Sequence, residues 1–175
     1  MKTIAITGEK RTGKSTLIRS IKDAIENNLV VIDGLLSLPV IENDYLVGFD
    51  LLHISTNRAI PLARTGIDTA IKTSRFGFLP EAFHLQYQII KSQNKTNTIL
   101  LLDEVGILEL KDLGWHNLVL DIKSRAYKGV VLVIRKSSFY ELTKKYELKF
   151  DFLVDLDSTD FDLEMLKQRI INYLL

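Results

Sequence analysis

Two short segments of this chain carry residue types that together can handle a polyphosphate. The first is Gly8-Glu9-Lys10-Arg11-Thr12-Gly13-Lys14-Ser15, followed by Thr16, which matches the phosphate-binding loop (Walker A) spacing G-x-x-x-x-G-K-[ST] at each fixed position. Gly8 and Gly13 allow the turn and the close approach of backbone to phosphate. Lys14 has the reach for β- and γ-phosphates, and the Ser15 hydroxyl can ligate Mg²⁺. The second segment, Leu100-Leu101-Leu102-Asp103-Glu104, is an apolar run ending in two acids. In open α/β sheets ligands bind outside the carboxyl ends of the strands, where the phosphate loop also sits. Asp103 there can hold Mg²⁺ opposite Ser15, directly or through water. Glu104 is placed to orient or deprotonate a water that attacks the γ-phosphate in line.

The elements needed to position these groups are present. Lys2-Thr3-Ile4-Ala5-Ile6-Thr7 reads as a buried strand entering the loop, and Leu17, Ile18, Ile21, Ala24 and Ile25 recur at helical spacing behind it. Strand, loop and helix in that order aim backbone N–H groups and the positive end of a helix at one point. A glycine turn with a chance lysine is the alternative, and the flanking strand and helix decide against it. An acidic pair after a strand is, taken alone, often a solvated turn. The upstream phosphate loop favours the functional reading of Asp103 and Glu104. A cation for the transition state could come from Arg11, Arg64, Arg75, Arg125 or Arg135, the last beside Lys136 at a strand end. Each reads equally well as a solvated arginine. Trp115, in a Gly-Trp-His loop, is expected to pack rather than to stack on a base.

The remaining pattern alternates strands and helices. Leu29–Ile32 reads as a short strand, and Tyr45–Ile54 with Ala59–Ala63 as a β-hairpin around Ser55-Thr56-Asn57-Arg58, preceded by the turn signal Glu42-Asn43-Asp44. Arg64–Lys72 reads as a loop, Arg75–Leu79 as a short strand, and Pro80-Glu81 as the start of a helix bearing Phe83, Tyr87 and Ile90. After Thr98–Leu102 come a helix marked by Leu118, Ile122 and Ala126 and ended near Gly129, and the strand Val130–Ile134. A helix with a Ser138/Glu141 capping box, the strand Phe152–Val154 and a helix holding Phe161, Met165, Leu166 and Ile170 complete the pattern. The alternation predicts a mostly parallel sheet covered on both faces, in one domain over residues 1–175 with an antiparallel insertion at about 34–79.

Composition narrows the function classes. The 175 residues are 46% hydrophobic and 26% charged, with a formal net charge of +1, so no basic field marks a nucleic-acid binder. The absence of cysteine excludes disulfides, thiolate catalysis and cysteine-ligated zinc. His53, His84 and His116 lack metal-ligand spacing and are expected on the surface or in loops. No apolar run has the length of a membrane span and the first strand begins at once, so the expectation is a cytoplasmic protein.

The chain resembles the THEP-type nucleoside-triphosphatases, small P-loop proteins that convert nucleoside triphosphates to diphosphates. The resemblance rests on Ile4-Ala5-Ile6-Thr7-Gly8-Glu9 leading into Gly13-Lys14-Ser15-Thr16, on Val47-Gly48-Phe49-Asp50, and on Leu62-Ala63. Its most specific part is Leu102-Asp103-Glu104-Val105-Gly106-Ile107-Leu108-Glu109-Leu110, similar to the family's Asp-Glu-hydrophobic-Gly-x-x-Glu-Leu segment. The similarity runs from residue 1 to about residue 135. It implies a RecA-like three-layer α/β/α fold with a hairpin insertion, and Mg²⁺-dependent hydrolysis of ATP, GTP and other triphosphates. It also implies that Asp103 to Leu110 form a second nucleotide-site segment in which Glu109 supports the site. In this chain Leu46 and Ser37-Leu38-Pro39-Val40 stand where the family carries charged or polar residues. Two other classes share the phosphate loop: a nucleotide or small-metabolite kinase, and a nucleotide-dependent binding module that would use the hairpin insertion as its protein-partner surface.

Overall fold

The computed structural model describes residues 1–25, 30–92, 96–124, 126–158 and 162–175. The elements run β1 (Lys2–Thr7), α1 (Lys14–Ile25), β2 (Val31–Glu42), β3 (Tyr45–His53), β4 (Arg58–Arg64), β5 (Ile71–Lys72), β6 (Gly77–Phe78), α2 (Pro80–Ser92) and β7 (Thr98–Val105). They continue α3 (Ile107–Leu110), α4 (His116–Ser124), β8 (Gly129–Ile134), α5 (Lys136–Lys145), β9 (Phe152–Asp155) and α6 (Leu163–Leu174). One sheet has the order β5-β6-β4-β3-β2-β7-β8-β1-β9. Strands β2, β7, β8, β1 and β9 are mutually parallel, and β3, β4, β6 and β5 extend the β2 edge antiparallel. This is the P-loop α/β architecture.

Period-two alternation sends each central strand's side chains to opposite faces. Ile4, Ile6, Ile99, Leu101, Val131 and Val133 pack against Leu17, Ile18, Ile21 and Ile25 of α1 and Leu166, Ile170 and Leu174 of α6. Ala5, Leu100, Leu102, Val130 and Leu132 face the other way, onto Phe83 and Ile90 of α2, Leu118 and Ile122 of α4 and Leu142 of α5. The sheet is thus buried on both sides, as near-continuous apolar strands require. Among the described residues no helix is long and apolar enough to cross a membrane.

The largest departure from the sequence expectation is β2. Its parallel pairing with β7 spans Val31 to Leu35, and its antiparallel pairing with β3 spans Leu35 to Glu42, so one strand serves both parts of the sheet. Gly34 and Pro39 are residue types that ordinarily weaken a strand, but they fit here for physical reasons. At Gly34 (φ +138°) a Cβ would lie 1.8 Å from the Leu101 carbonyl oxygen of β7, so only glycine allows the approach. Pro39 lies beyond the reach of β7 and pairs only with Phe49 of β3, so the side that would need its missing N–H is an edge. The turn after β2 places Asn43 and Asp44 at φ 48° and 65°, the geometry of a tight hairpin.

Other expectations shift at element ends. Arg64 closes β4 and Ile71–Lys72 form β5, inside the stretch expected to be a loop. Helix α4 stops at Ser124, leaving Ala126 outside it, and Gly129 opens β8 instead of ending the helix. Helix α5 begins after Arg135 with no side-chain cap, and Ser138 is its buried third residue, so Ser138 and Glu141 form no capping box. Met165 is 71% exposed, while Asp162 caps α6 by accepting from the N–H of Glu164 at 2.8 Å. Leu29, Arg125 and Phe161 lie outside the described residues.

His53 also differs from expectation, because it is fully buried at the end of β3. Its Nε2 stands 3.0 Å from Oδ1 of the equally buried Asp33 in β2, and its Nδ1 meets the Thr56 hydroxyl at 2.9 Å. Burial works to raise the Asp33 carboxyl, but His53 and the Gly34 N–H outweigh it and hold Asp33 below its ordinary value. Removing one partner of a buried pair leaves the other charge uncompensated. His53→Ala should therefore lower unfolding free energy by about 3–5 kcal/mol at neutral pH in urea denaturation. The favourable contribution of Asp33 is present above the ordinary carboxylate range and lost as pH falls through its lower folded value. The gap between variant and parent should accordingly close in acid. An equal gap at pH 7 and at acid pH would show that the pair is not its source.

Candidate active site

Both sequence segments lie at the C-terminal ends of parallel strands, the loop after β1 and the acids in the last turn of β7. Strand β8 lies between β1 and β7 in the sheet, so the two segments meet across its end. They touch directly: the Ser15 hydroxyl donates to Oδ1 of Asp103 at 3.2 Å. Asp103 is fully buried, and its Oδ2 accepts from the Ser37 N–H of β2 at 3.4 Å. Burial first, and then the neighbouring Glu104 charge, push the Asp103 carboxyl up to about 7.

Glu104 behaves differently from its neighbour. Its φ is +64°, a left-handed conformation rare outside glycine, and the β7–β8 register slips between Leu102 and Val105. The bulge turns Glu104 out of the alternation of β7, so its side chain is 45% exposed while Asp103 and Val105 are buried. A backbone held in so sparse a region at a strand end is strain of the kind that clusters at functional sites. The Glu104 carboxylate meets Arg135, the residue before α5, with Nη2 to Oε2 at 3.3 Å.

In the loop, the Lys14 ammonium donates to the Gly8 carbonyl at 2.8 Å and to the Glu9 carbonyl. The Thr12 hydroxyl also donates to the Glu9 carbonyl, at 3.0 Å. Lys14 is almost buried; desolvation lowers its pKa, against the pull of Glu104 and Asp157. Glu9, Lys10, Arg11 and Thr16 are exposed around the loop, and Thr12, Gly13 and Ser15 are half-buried. Arg11 is at φ 67°.

The segment after the acids forms a rigid bracket. Glu109 in α3 is 2% exposed, and its carboxylate accepts from the N–H of Gly106 at 2.6 Å and of Trp115 at 2.8 Å. Burial raises the Glu109 carboxyl to about 7 against those two donors. The Glu109 carbonyl takes hydrogen bonds from the Tyr146 hydroxyl (2.6 Å) and Lys145 (2.8 Å), tying α3 to α5. Leu108 is buried and Leu110 half-buried, whereas Ile107 is 42% exposed. Trp115 packs edge-on against Phe83, ring centroids 4.6 Å apart, and is too buried to stack on a base.

The other arginines are engaged elsewhere. Arg64 binds Asp50 at 2.5 Å and the carbonyl of Phe49, and Arg75 donates to the Leu46 carbonyl. Four contributors lie outside the two motifs. Asp157, just past β9, accepts from the Glu9 N–H at 2.9 Å and pairs with Lys136 at 2.6 Å, so it braces the phosphate loop. Its signal was available, since Phe152-Leu153-Val154-Asp155 repeats the pattern of an apolar strand ending in acid. Ser37 contributes a backbone N–H, while Arg19 donates to its carbonyl at 2.5 Å, and neither contact has a motif. Gly114 (φ 62°) is the fourth: a Cβ there would lie 2.3 Å from Glu109 Oε1.

The family model described as NTPase matches residues 3–162. The chain belongs to this NTPase family. It is 24% identical over 172 residues to the nucleoside-triphosphatase THEP1 of Saccharolobus solfataricus, covering 98% of this chain and 92% of that one. The THEP1 of Methanocaldococcus jannaschii is 27% identical over 146 residues, covering 83% of this chain and 85% of the relative. The solution structure of a human cancer-related nucleoside triphosphatase superposes with a TM-score of 0.74 at 18% identity, covering 98% of this chain and 96% of that one. That likeness agrees on the fold.

Gly114→Ala tests the bracket. The added methyl must displace the Glu109 carboxylate from its two N–H donors in a left-handed backbone, so unfolding free energy should fall by about 2 kcal/mol or more. Turnover should fall as well, measured at a temperature where the variant is still folded. A variant as stable as the parent would remove Glu109 from its bracing role.

Proposed function

We propose that this member of the NTPase family hydrolyses nucleoside triphosphates such as ATP and GTP to diphosphate and inorganic phosphate, using Mg²⁺ and with loose base selectivity. The observation that carries the hydrolytic reading is the contrast between the adjacent acids: Asp103 buried on Ser15, Glu104 swung outward by a left-handed backbone. A buried acid bonded to the loop hydroxyl suits a metal, and an exposed acid beside it suits a water.

The donor set fits Mg²⁺. A hydroxyl and a carboxylate, 3.2 Å apart, are hard oxygen donors. Among the described residues no group of three or more His, Cys, Asp or Glu side chains is placed to cage a metal. An ion that keeps several waters and shares the substrate's phosphates requires no such cage. When bound, the ion would neutralise charge on the β- and γ-oxygens. Ser15 and Asp103 would hold it.

The chain's own groups account for the rest. Lys14 exchanges its hold on the Gly8 and Glu9 carbonyls for the β/γ-phosphate oxygens, keeping its charge at the point where negative charge spreads. Glu104 orients a water and takes its proton as the water oxygen bonds to the γ-phosphorus. The bond from phosphorus to the β–γ bridging oxygen breaks, and the diphosphate leaves. Trp115 is too buried to serve as a stacking platform for one base, which agrees with loose selectivity.

Glu104→Gln should retain nucleotide binding while turnover falls about 10²–10⁴-fold. Lys14→Ala should instead weaken triphosphate binding itself. The assay is phosphate release by purified protein with no acceptor added. Phosphoryl transfer to an added monophosphate acceptor, with no free phosphate released, would replace this reading with a kinase, and unchanged turnover in Glu104→Gln would remove Glu104 from its role.

A further inference from the structure

Strand β8 lies between the strand that enters the phosphate loop and the strand that ends in the two acids. The residue just past its C-terminal end is Arg135. The backbone there is fixed, since the Arg135 N–H donates to the Val105 carbonyl at 3.2 Å, beside the bulge that turns Glu104 outward. The side chain is held only by Glu104, with Nη2 at 3.3 Å from Oε2, and is 40% exposed. An exposed ion pair of this kind is a weak hold.

Arg135 also acts on the phosphate loop. Burial lowers the Lys14 pKa, Glu104 and Asp157 oppose that, and the positive charge of Arg135 adds to the lowering. One guanidinium therefore lies within electrostatic reach of the loop lysine and in contact with the exposed acid. Other arginines are committed elsewhere: Arg19 to the Ser37 carbonyl, Arg64 to Asp50 and the Phe49 carbonyl, and Arg75 to the Leu46 carbonyl. Among the described arginines, Arg135 alone forms an ion pair with either acid of the site. A triphosphate brings several charged oxygens to the same place, and a planar fork of donors matches them well.

We propose that Arg135 is a catalytic residue whose guanidinium leaves Glu104 when a triphosphate binds and donates instead to the γ-phosphate oxygens. This deepens the hydrolytic reading above and rests on it. One exchange has two effects. Positive charge arrives where negative charge spreads as the phosphoryl group transfers. The Glu104 carboxylate, no longer bonded to the guanidinium, is free to accept the proton of the attacking water. No bond to Arg135 itself forms or breaks in the step. A diphosphate lacks the γ-group, so with product bound Arg135 stays on Glu104.

The test compares the full chain with Arg135→Ala and Arg135→Lys in two measurements. The first is steady-state phosphate release from ATP. In Arg135→Ala kcat should fall about 10³-fold or more, the scale set by a cation on the transferring group. Arg135→Lys, which keeps the charge but not the fork, should recover only part of the loss. The second is affinity for ADP alone and for ADP with Mg²⁺ and aluminium fluoride, a mimic of the phosphoryl group in transfer. Arg135→Ala should bind ADP as the parent does and bind the fluoride complex about tenfold or more weakly. A purely structural role would weaken both alike, and that result overturns the proposal. Unchanged or faster turnover in Arg135→Ala also overturns it, because Arg135 would then only restrain Glu104. A parent that releases no phosphate without an acceptor defeats the hydrolytic reading, whereas the fluoride comparison scores Arg135 by itself.

Discussion

The hydrogen bond from Ser15 to the fully buried Asp103 is the contact on which the rest of the arrangement depends. It joins groups 88 positions apart in sequence and separated in the sheet by the width of β8. For it to form, β1 and β7 must run parallel and end at the same height, which the shared partner β8 enforces through its register with both. A carboxylate with no solvent access is costly unless it is paired. The fold meets that cost with one hydroxyl and one backbone N–H, an arrangement that suits a cation better than it suits the bare side chain.

From this fixed point the site divides into rigid and adjustable parts. Glu109, Gly106, Trp115, Lys145 and Tyr146 form a hydrogen-bonded bracket behind the acids. Asp157 and Lys136 form a second brace on the opposite side, under the phosphate loop. The groups between them, Lys14, Glu104 and Arg135, hold partners they can exchange: backbone carbonyls in one case, each other in the second. An exposed ion pair is worth little, so giving it up costs little. A site built this way keeps its geometry while its charges are redistributed.

What could be read from the sequence follows how local each determinant is. Gly8 to Ser15 is legible because spacing within one turn fixes every role, and Asp103-Glu104 because an apolar run ending in acid already locates a strand end. The contrast between those acids is not legible: it depends on a bulge against β8, and nothing in Asp-Glu states which one turns out. The full length of strand β2 is not legible, because glycine and proline carry opposite meanings at an edge and in an interior, and only the neighbours decide. The burial of His53 is equally illegible, since it requires Asp33 from another strand. Asp157 lies just past Asp155, the acid that ends β9, and no second motif stands beside it.

The arrangement of β1 has a consequence for the order of assembly. Its two sheet neighbours are β8 and β9, which begin at residues 129 and 152, and its loop is braced by Asp157. The residues of β1 therefore wait for strands made much later in the chain before they have any hydrogen-bonded strand beside them. Contacts of such long separation form late and slowly. A growing chain on the ribosome carries its phosphate loop in sequence long before it carries one in shape. Nucleotide then meets a competent loop only once β8, β9 and Asp157 have been made.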